Sequence, residues 1–138
     1  MTLVDANVLL DVVTADRTWL GWSQGELARL AAGGLAINPI IYAELAPAFR
    51  TETELEAAFR EWPLHRLVLP YAAAWPAARA FAEYRGRGGT RTAPLPDFYI
   101  GAHAEVEGCT LLTRDAARYR TYFPNVPLIC PVRGLATD

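Results

Sequence analysis

Lysine is absent from this 138-residue chain, and serine occurs only once, as Ser23. All 13 of the Lys and Arg positions are therefore arginines. Without lysine the chain cannot form a phosphate-binding loop that ends in Gly-Lys-Ser/Thr, a Schiff base with a carbonyl substrate or a Ser–Lys dyad. Three classes of chemistry are thereby excluded.

The only serine lies in the segment Gly21-Trp-Ser-Gln-Gly25, which matches the Gly-x-Ser-x-Gly pattern of serine hydrolases. That pattern requires a strand before the serine and a helix that begins at the serine itself. Here the helical pattern already begins at Trp19. We therefore interpret the match as chance and expect no serine nucleophile.

The chain also has few cysteines, a small net charge and no long apolar run. Two cysteines, Cys109 and Cys130, cannot build a disulfide framework and favour a reducing cytoplasm. The chain has no run of about 18 apolar residues, so we expect no membrane span. Its first residues lack a basic region, so we expect no signal peptide. The net charge of −2 argues against a general basic coat for a polyanion, but it allows a local arginine patch.

The remaining composition fits one globular α/β domain. Apolar residues make up 52% of the chain and charged residues 20%, which is typical of a folded domain. Strands are predicted at 2–5, 35–38, 66–69, 110–113 and 126–129. Helices are predicted at about 6–13, 19–32, 39–49, 51–62, 72–84, 96–108 and 115–122. This alternation predicts a parallel sheet of four or five strands, flanked by helices on both faces. We expect the domain to cover residues 1–131, followed by a tail over 132–138.

Four carboxylates occupy positions where a parallel sheet binds its ligands. Asp5 ends the first predicted strand, and Asp115 comes two residues after the strand that ends at Thr113. Asp97 lies in the first turn of its helix, and Glu44 lies on the apolar face of another helix. Ligands of open parallel sheets bind beyond the carboxyl ends of the strands. We therefore expect these acids to share one edge of the sheet.

Each of these acids has a structural alternative. The three aspartates could cap helices, and Glu44 could pair with an arginine. Capping does not explain why the acids fall at corresponding strand ends, and clustered carboxylates repel one another unless a cation holds them. Oxygen ligands with few histidines suit Mg²⁺ or Mn²⁺ better than zinc. Such a site is suited to metal-assisted phosphodiester hydrolysis.

The residues around these acids resemble a known family. Leu3-Val-Asp-Ala-Asn-Val-Leu-Leu-Asp11 resembles the opening of PIN-domain nucleases. Three further motifs follow in the family's order and approximate spacing: Tyr42-Ala-Glu-Leu45, Pro96-Asp-Phe-Tyr-Ile-Gly-Ala-His-Ala104 and Leu111-Leu-Thr-Arg-Asp115. From residue 3 to about residue 130 the chain resembles the VapC toxins of bacterial type II toxin–antitoxin pairs. Ala116 and Ala117 stand where some PIN domains carry further acidic or polar residues.

The resemblance implies a magnesium-dependent endoribonuclease toxin. Its catalytic residues would be Asp5, Glu44, Asp97 and Asp115. The three aspartates would hold Mg²⁺ (or Mn²⁺), with Glu44 at the rim or acting through water. A metal-activated water held by this acidic cluster would hydrolyse RNA, leaving a 5′ phosphate and a 3′ hydroxyl. The resemblance also implies a cytoplasmic homodimer and a cognate VapB-type antitoxin, which would silence the pocket with a positive side chain or a peptide.

Other polar residues are expected to support the site. Family members often use the equivalents of Asn7 and Thr113 to position the acids. Arginine grips phosphate bidentately, so candidate RNA contacts are Arg85, Arg87 and Arg91 in a predicted glycine-rich loop, and Arg114. The alternative for this loop is a solvated surface. Setting the four acids aside leaves 11 of the 15 acidic residues against 13 arginines, which favours RNA binding by arginine.

Two rival functions remain open at this point. An α/β phosphatase that relies on aspartates also places them at strand ends, whereas a receiver domain needs a lysine that this chain lacks. A PIN-like binding module that has lost its activity would keep the same acids. His103 lies about 240° round its helix from Asp97 and is expected to pack rather than to catalyse, and Cys109 is expected to be buried.

Overall fold

The computed structural model describes residues 1–132. A five-stranded, wholly parallel sheet forms its centre. The strands are β1 (Thr2–Val4), β2 (Leu35–Ile37), β3 (Leu64–Arg66), β4 (Thr110–Leu112) and β5 (Leu128–Ile129). Their spatial order is β3-β2-β1-β4-β5, so the predicted α/β fold with a parallel sheet is confirmed. Apart from Val132, the predicted tail lies outside the described residues.

Helices connect these strands. They are α1 (Ala6–Val13), α2 (Leu20–Leu30), α3 (Pro39–Leu45), α4 (Glu52–Arg60), α5 (Ala74–Gly86), α6 (Pro96–Glu107) and α7 (Ala117–Tyr122). Asn38 caps α3 with its side chain and Thr51 caps α4, because a short oxygen acceptor satisfies a free N–H of the first turn. Among residues 1–132, no helix is both long and apolar enough to cross a bilayer.

The chain changes direction across the sheet at β1. Strands β2 and β3 lie on one side of β1, whereas β4 and β5 lie on the other, so that Thr2 pairs with both Leu35 and Thr110. A crevice opens at such a switch point, outside the carboxyl ends of the two strands that flank it. Residues that directly follow Val4 and Leu112 therefore line this crevice.

The central strands are apolar because helices cover both faces of the sheet. Residues of β1 and β2 are buried throughout, as expected for parallel strands that never meet solvent. Helix α6 packs against α3, α5 and α7. Six of its residues are buried: Phe98, Ile100, Gly101, Ala102, His103 and Ala104. The first turn of α6 is thereby fixed beside the crevice.

Several predicted boundaries are wrong; the fifth strand, for example, begins at Leu128 rather than at residue 126. The third strand was expected over 66–69 but runs from Leu64 to Arg66, because it can pair only with the three residues of β2, and Ile37 pairs with Arg66. Arg85 and Gly86 belong to α5, which shortens the predicted basic loop. Helix α7 begins at Ala117 rather than at Asp115.

Candidate active site

Asp5 lies at the centre of the crevice and has two roles. Its Oδ1 atom accepts a hydrogen bond of 2.8 Å from the backbone N–H of Ala6, so the predicted capping of α1 is correct. Its Oδ2 atom accepts bonds of 2.9 Å from the hydroxyl groups of Thr113 and Tyr119. Burial raises the pKa of Asp5 to about 6, and the negative charge of Asp97 adds to this effect, while the hydrogen bonds oppose it.

Asp97 lies in the first turn of α6 but does not cap it. The N-cap position is Leu95, which makes no side-chain bond, so the capping alternative is wrong for Asp97. Its Oδ1 atom accepts a bond of 3.3 Å from the Tyr119 hydroxyl, and its Oδ2 atom accepts one of 3.2 Å from Nη1 of Arg118. Burial raises the pKa of Asp97, although Arg118 and the Tyr119 hydroxyl oppose the rise.

Glu44 brings a third carboxylate to the same region from α3. Its Oε1 atom is buried and has no hydrogen-bond partner among residues 1–132. No arginine of these residues forms an ion pair with Glu44. Burial raises the pKa of Glu44 to about 7, and the charges of Asp5 and Asp97 add to the rise. The alternative of an arginine partner is therefore wrong for the described residues, and Glu44 is a partly buried acid beside two others.

Asp115 lies at the open side of the site. It is exposed and does not cap α7, because the N-cap is Ala116, which makes no side-chain bond. Its negative charge contributes to the raised pKa of Asp97. Within residues 1–132, no three His, Cys, Asp or Glu side chains are already arranged to hold a metal ion. The sharing of one cation by Asp5, Asp97 and Asp115 therefore stays a prediction.

Asn7 and Thr113 connect α1 to the end of β4. The Thr113 hydroxyl, which donates to Asp5, accepts bonds from Nδ2 of Asn7 at 3.3 Å and from the backbone N–H of Asp115 at 3.1 Å. The Oδ1 atom of Asn7 accepts a bond of 3.1 Å from the backbone N–H of Arg114. Both side chains therefore lie where a role in positioning the acids requires them.

Two residues of α7 complete the cluster and were not predicted from the sequence. Tyr119 is fully buried, and its hydroxyl lies between Asp5 and Asp97; burial and these charges raise its pKa well above the usual value. The guanidinium of Arg118 contacts Asp97 and lies 5.9 Å from the centre of the Phe98 ring. Both residues lie on α7, which begins at Ala117, and no sequence pattern links them to Asp5 or Asp97.

The arginines that were predicted to bind phosphate occupy two different environments. Exposed Arg85 donates from Nη1 to the carbonyl oxygen of Arg91 at 2.6 Å, and Arg87 lies over the Tyr122 ring at 5.3 Å. Arg114 instead pairs with a buried carboxylate, that of Asp11, at 2.9 Å. Arg85, Arg87 and Arg91 thus remain exposed near α7, whereas Arg114 is engaged within the protein.

His103 packs inside the domain, as expected. It is buried, and its Nδ1 atom accepts a bond of 2.9 Å from Nδ2 of Asn38, whose Oδ1 atom already caps α3. Burial lowers the pKa of His103, which favours the neutral ring. Cys109 is also buried, as expected, whereas His65 is exposed in β3.

The fold and the site define an α/β domain with an acidic centre at the switch point of a parallel sheet. Residues 2–124 match the family model described as PIN domain, so the chain belongs to the PIN domain family. The resemblance noted in the sequence is thereby confirmed. No curated protein shows significant similarity to the chain.

Solved structures share this fold at low sequence identity. A chain of VapBC2 from Rickettsia felis, bound to a promoter DNA fragment, is 18% identical with a TM-score of 0.73, covering 95% of this chain and 98% of that one. A chain of VapBC-1 from nontypeable Haemophilus influenzae is 16% identical, with a TM-score of 0.70 and coverages of 99% and 98%. A chain of DNA-bound VapBC from Salmonella typhimurium is 19% identical, with a TM-score of 0.69 and coverages of 94% and 96%. At these identities the likeness concerns the fold.

Proposed function

We propose that this chain is a magnesium-dependent endoribonuclease and the toxin of a type II toxin–antitoxin pair. Membership of the PIN domain family supports nuclease activity, and the likeness of fold to VapBC chains supports a toxin. The observation that carries the proposal is the partly buried Glu44 near Asp5 and Asp97, one oxygen of which has no hydrogen-bond partner within residues 1–132. The charges of Asp5 and Asp97 disfavour the ionised form of Glu44, and a bound cation would relieve this repulsion.

The side chains fit a hard divalent cation. Carboxylate oxygens are the ligands that Mg²⁺ prefers. Among residues 1–132, the buried Oε1 atom of Glu44 has no hydrogen-bond partner, and a bound cation would supply a positive partner. Asp5, Asp97 and Asp115 would hold Mg²⁺ or Mn²⁺, and Glu44 would act directly or through water. When bound, the cation supplies a more acidic water and stabilises the charge that develops on the phosphoryl group and the leaving oxygen.

The protein's own groups orient this site. The Tyr119 hydroxyl holds the carboxylates of Asp5 and Asp97 side by side, while Thr113 fixes the Oδ2 atom of Asp5. Arg118 offsets part of the negative charge at Asp97. Such fixed charges lower the barrier because they need no reorganisation during the reaction.

Arginines on the surface beside α7 would bind the RNA. Arg85, Arg87 and Arg91 are exposed, and their guanidinium groups can each grip a phosphate in a bidentate manner. Cleavage at the acidic centre would leave a 5′ phosphate and a 3′ hydroxyl.

Protein partners would include an antitoxin and a second copy of the chain. A cationic side chain of a VapB-type antitoxin would compensate the acidic centre in place of the metal. Val68, Tyr71 and Trp75 follow one another closely in the chain and are 81%, 97% and 77% exposed. We treat them as one apolar patch, which supports a protein interface. We assign this patch to the homodimer, and we place the pair in the cytoplasm.

Cleavage of single-stranded RNA by the purified chain tests this function. We expect cutting with Mg²⁺ and none with EDTA, and an Asp97→Asn variant should bind RNA without cutting it. Glu107→Gln, an exposed acid at the other end of the same helix, is the matched control and should cut normally. A folded wild type that binds RNA or antitoxin but cuts no RNA with any divalent cation would instead be an inactive PIN-like binding module. The observation behind that second candidate is the ion pair of Arg118 with Asp97, because it compensates part of the charge of Asp97 without a cation.

A further inference from the structure

A second buried carboxylate lies outside the acidic centre. Asp11, in α1, is only 2% exposed. Its Oδ2 atom accepts a bond of 2.7 Å from the hydroxyl of Ser23, on α2, and one of 2.9 Å from Nε of Arg114. A buried carboxylate without partners is costly, and here a hydroxyl and a guanidinium supply them. The only serine of the chain is thus part of this contact.

Arg114 is held at three points. Besides the ion pair with Asp11, its guanidinium carbon lies 5.2 Å from the centre of the Trp19 ring, and its backbone N–H donates to Oδ1 of Asn7. Its side chain is 30% exposed, so solvent reaches only part of the pair. Side chains of α1 and of the residue that precedes α2 thus hold Arg114 through its charge, the flat face of its guanidinium and its backbone N–H.

The contacts of Arg114 affect the acidic centre because Arg114 is a chain neighbour of two residues of that centre. Arg114 lies in the four-residue loop between β4 and α7, directly between Thr113 and Asp115. Thr113 donates to Asp5, and Asn7 donates to Thr113. A shift of Arg114 would therefore move Thr113 away from Asp5 and would displace Asp115, which makes no side-chain hydrogen bond of its own among residues 1–132.

We propose that Asp11 and Ser23 form an internal docking site for Arg114, and that these three are positioning residues which fix Thr113 and Asp115 at the acidic centre. This inference rests on the proposed function, because it gives Asp115 a role as a ligand. It also assigns Arg114 to the protein interior rather than to an RNA phosphate. Groups that orient metal ligands commonly change affinity or activity by 10- to 100-fold when they are removed.

The test replaces both charges together, as Asp11→Asn with Arg114→Gln, so that neither is left buried alone. Circular dichroism and thermal unfolding check the fold. Binding of Mg²⁺ is measured by calorimetry without RNA, and RNA cleavage is resolved into kcat and KM. Arg120→Gln, at an exposed arginine of α7, is the matched control and should behave as the wild type.

We expect the double variant to bind Mg²⁺ about tenfold more weakly and to lose roughly 10- to 100-fold in kcat, with KM for RNA changed by less than about twofold. Arg114→Lys keeps a cation but lacks the planar guanidinium, and it should weaken Mg²⁺ binding by about threefold. If the double variant does not fold, the Mg²⁺ affinity of Arg114→Lys is compared with that of the wild type instead.

The outcomes separate this proposal from the proposed function. Unchanged Mg²⁺ affinity and kcat in a folded variant overturn the docking role, and so does a rise in KM alone, which would make Arg114 an RNA contact. If the wild type binds Mg²⁺ but cuts no RNA, the proposed function fails, and the difference in Mg²⁺ affinity decides the docking role alone. If the wild type binds no Mg²⁺, both fail.

Discussion

Asp5 and Asp11 lie at the start of α1 and within it, and both are almost fully buried, at 5% and 2% exposure. Their surroundings are opposite. Asp11 has an arginine and a hydroxyl as partners, so its charge is compensated. Asp5 has two hydroxyls and an N–H as partners, and it also faces the negative charge of Asp97.

This difference teaches how one short helix can serve two purposes. A buried carboxylate with a cationic partner holds parts of the protein together, because breaking the pair leaves a charge in a poor solvent. A buried carboxylate beside other carboxylates lowers the stability of the protein, and an external cation can compensate it. Such an arrangement is common at functional sites.

The largest effect is expected from Asp5→Asn. RNA cleavage should fall on the order of 10³-fold, because a ligand of the cation is lost. The free energy of unfolding without metal should stay equal or rise, since the repulsion with Asp97 and Glu44 is removed. Single-turnover cleavage and urea unfolding at pH 7.5 measure the two quantities. Glu61→Gln, an exposed acid after α4, is the control. A strong loss of stability in Asp5→Asn would contradict the contrast with Asp11.

Arg114→Met should have the opposite signature in stability. It leaves the carboxylate of Asp11 buried with Ser23 as its remaining side-chain partner. We expect the free energy of unfolding to fall by roughly 2–4 kcal/mol, toward the lower part of the range for broken buried pairs, because the arginine is partly exposed. Urea unfolding at pH 7.5 measures the loss. Equal stability of Arg114→Met and wild type would show that Asp11 needs no cation.

The sequence predicted one half of this contrast much better than the other. Asp5 and Asp115 could be found because each follows a strand, and strand ends of a parallel sheet meet at one edge. The contacts that close the site could not be predicted from the sequence. Arg114 and Asp11 lie 103 positions apart, and no periodicity links them. Tyr119 reaches Asp5 across 114 positions, and only the packing of α7 brings them together.

Element boundaries show the same limit. Strands β1, β2 and β4 were predicted within one or two residues, because each is a short apolar run with a turn or a cap residue at its end. The third strand was misplaced since Leu67, Val68 and Leu69 are apolar as well, and only the pairing of Ile37 with Arg66 fixes where the ladder ends. Local sequence thus predicts which segments form strands, whereas the neighbouring strand decides their register.

The stability of the metal-free chain should depend on pH through the acidic centre. Burial raises the pKa of Asp5 from 3.8 to about 6 in the folded chain, so between these values the unfolded chain releases its proton first. Stability without metal should therefore fall as pH rises from about 4 to 6, and Glu44, whose pKa is raised to about 7, should extend the fall to neutral pH. We expect a loss of about 1–3 kcal/mol.

Urea unfolding of the wild type and of Asp5→Asn between pH 4 and 7.5 measures this loss. The difference between the two curves reports Asp5 together with its charge coupling to Glu44, whose pKa the charge of Asp5 helps to raise. Saturating Mg²⁺ should remove much of the fall, since the cation favours the ionised carboxylates. A difference that grows in the other direction, with the wild type gaining on Asp5→Asn as pH rises, would contradict the raised pKa.

The smallest effect is expected from Ser23→Ala, which removes the hydroxyl from Asp11 and leaves the ion pair with Arg114 in place. One hydrogen bond to a charged acceptor is lost, so the free energy of unfolding should fall by about 1–2 kcal/mol. Thr121→Ala, which removes an exposed hydroxyl bonded to a backbone carbonyl of α7, is the matched control and should change it by less than about 0.5 kcal/mol. Denaturant unfolding of the three proteins decides the matter. If Ser23→Ala were as damaging as Arg114→Met, the hydroxyl and not the cation would compensate Asp11. The contrast with Asp5, which also has hydroxyl partners, would then rest on the neighbouring acids alone.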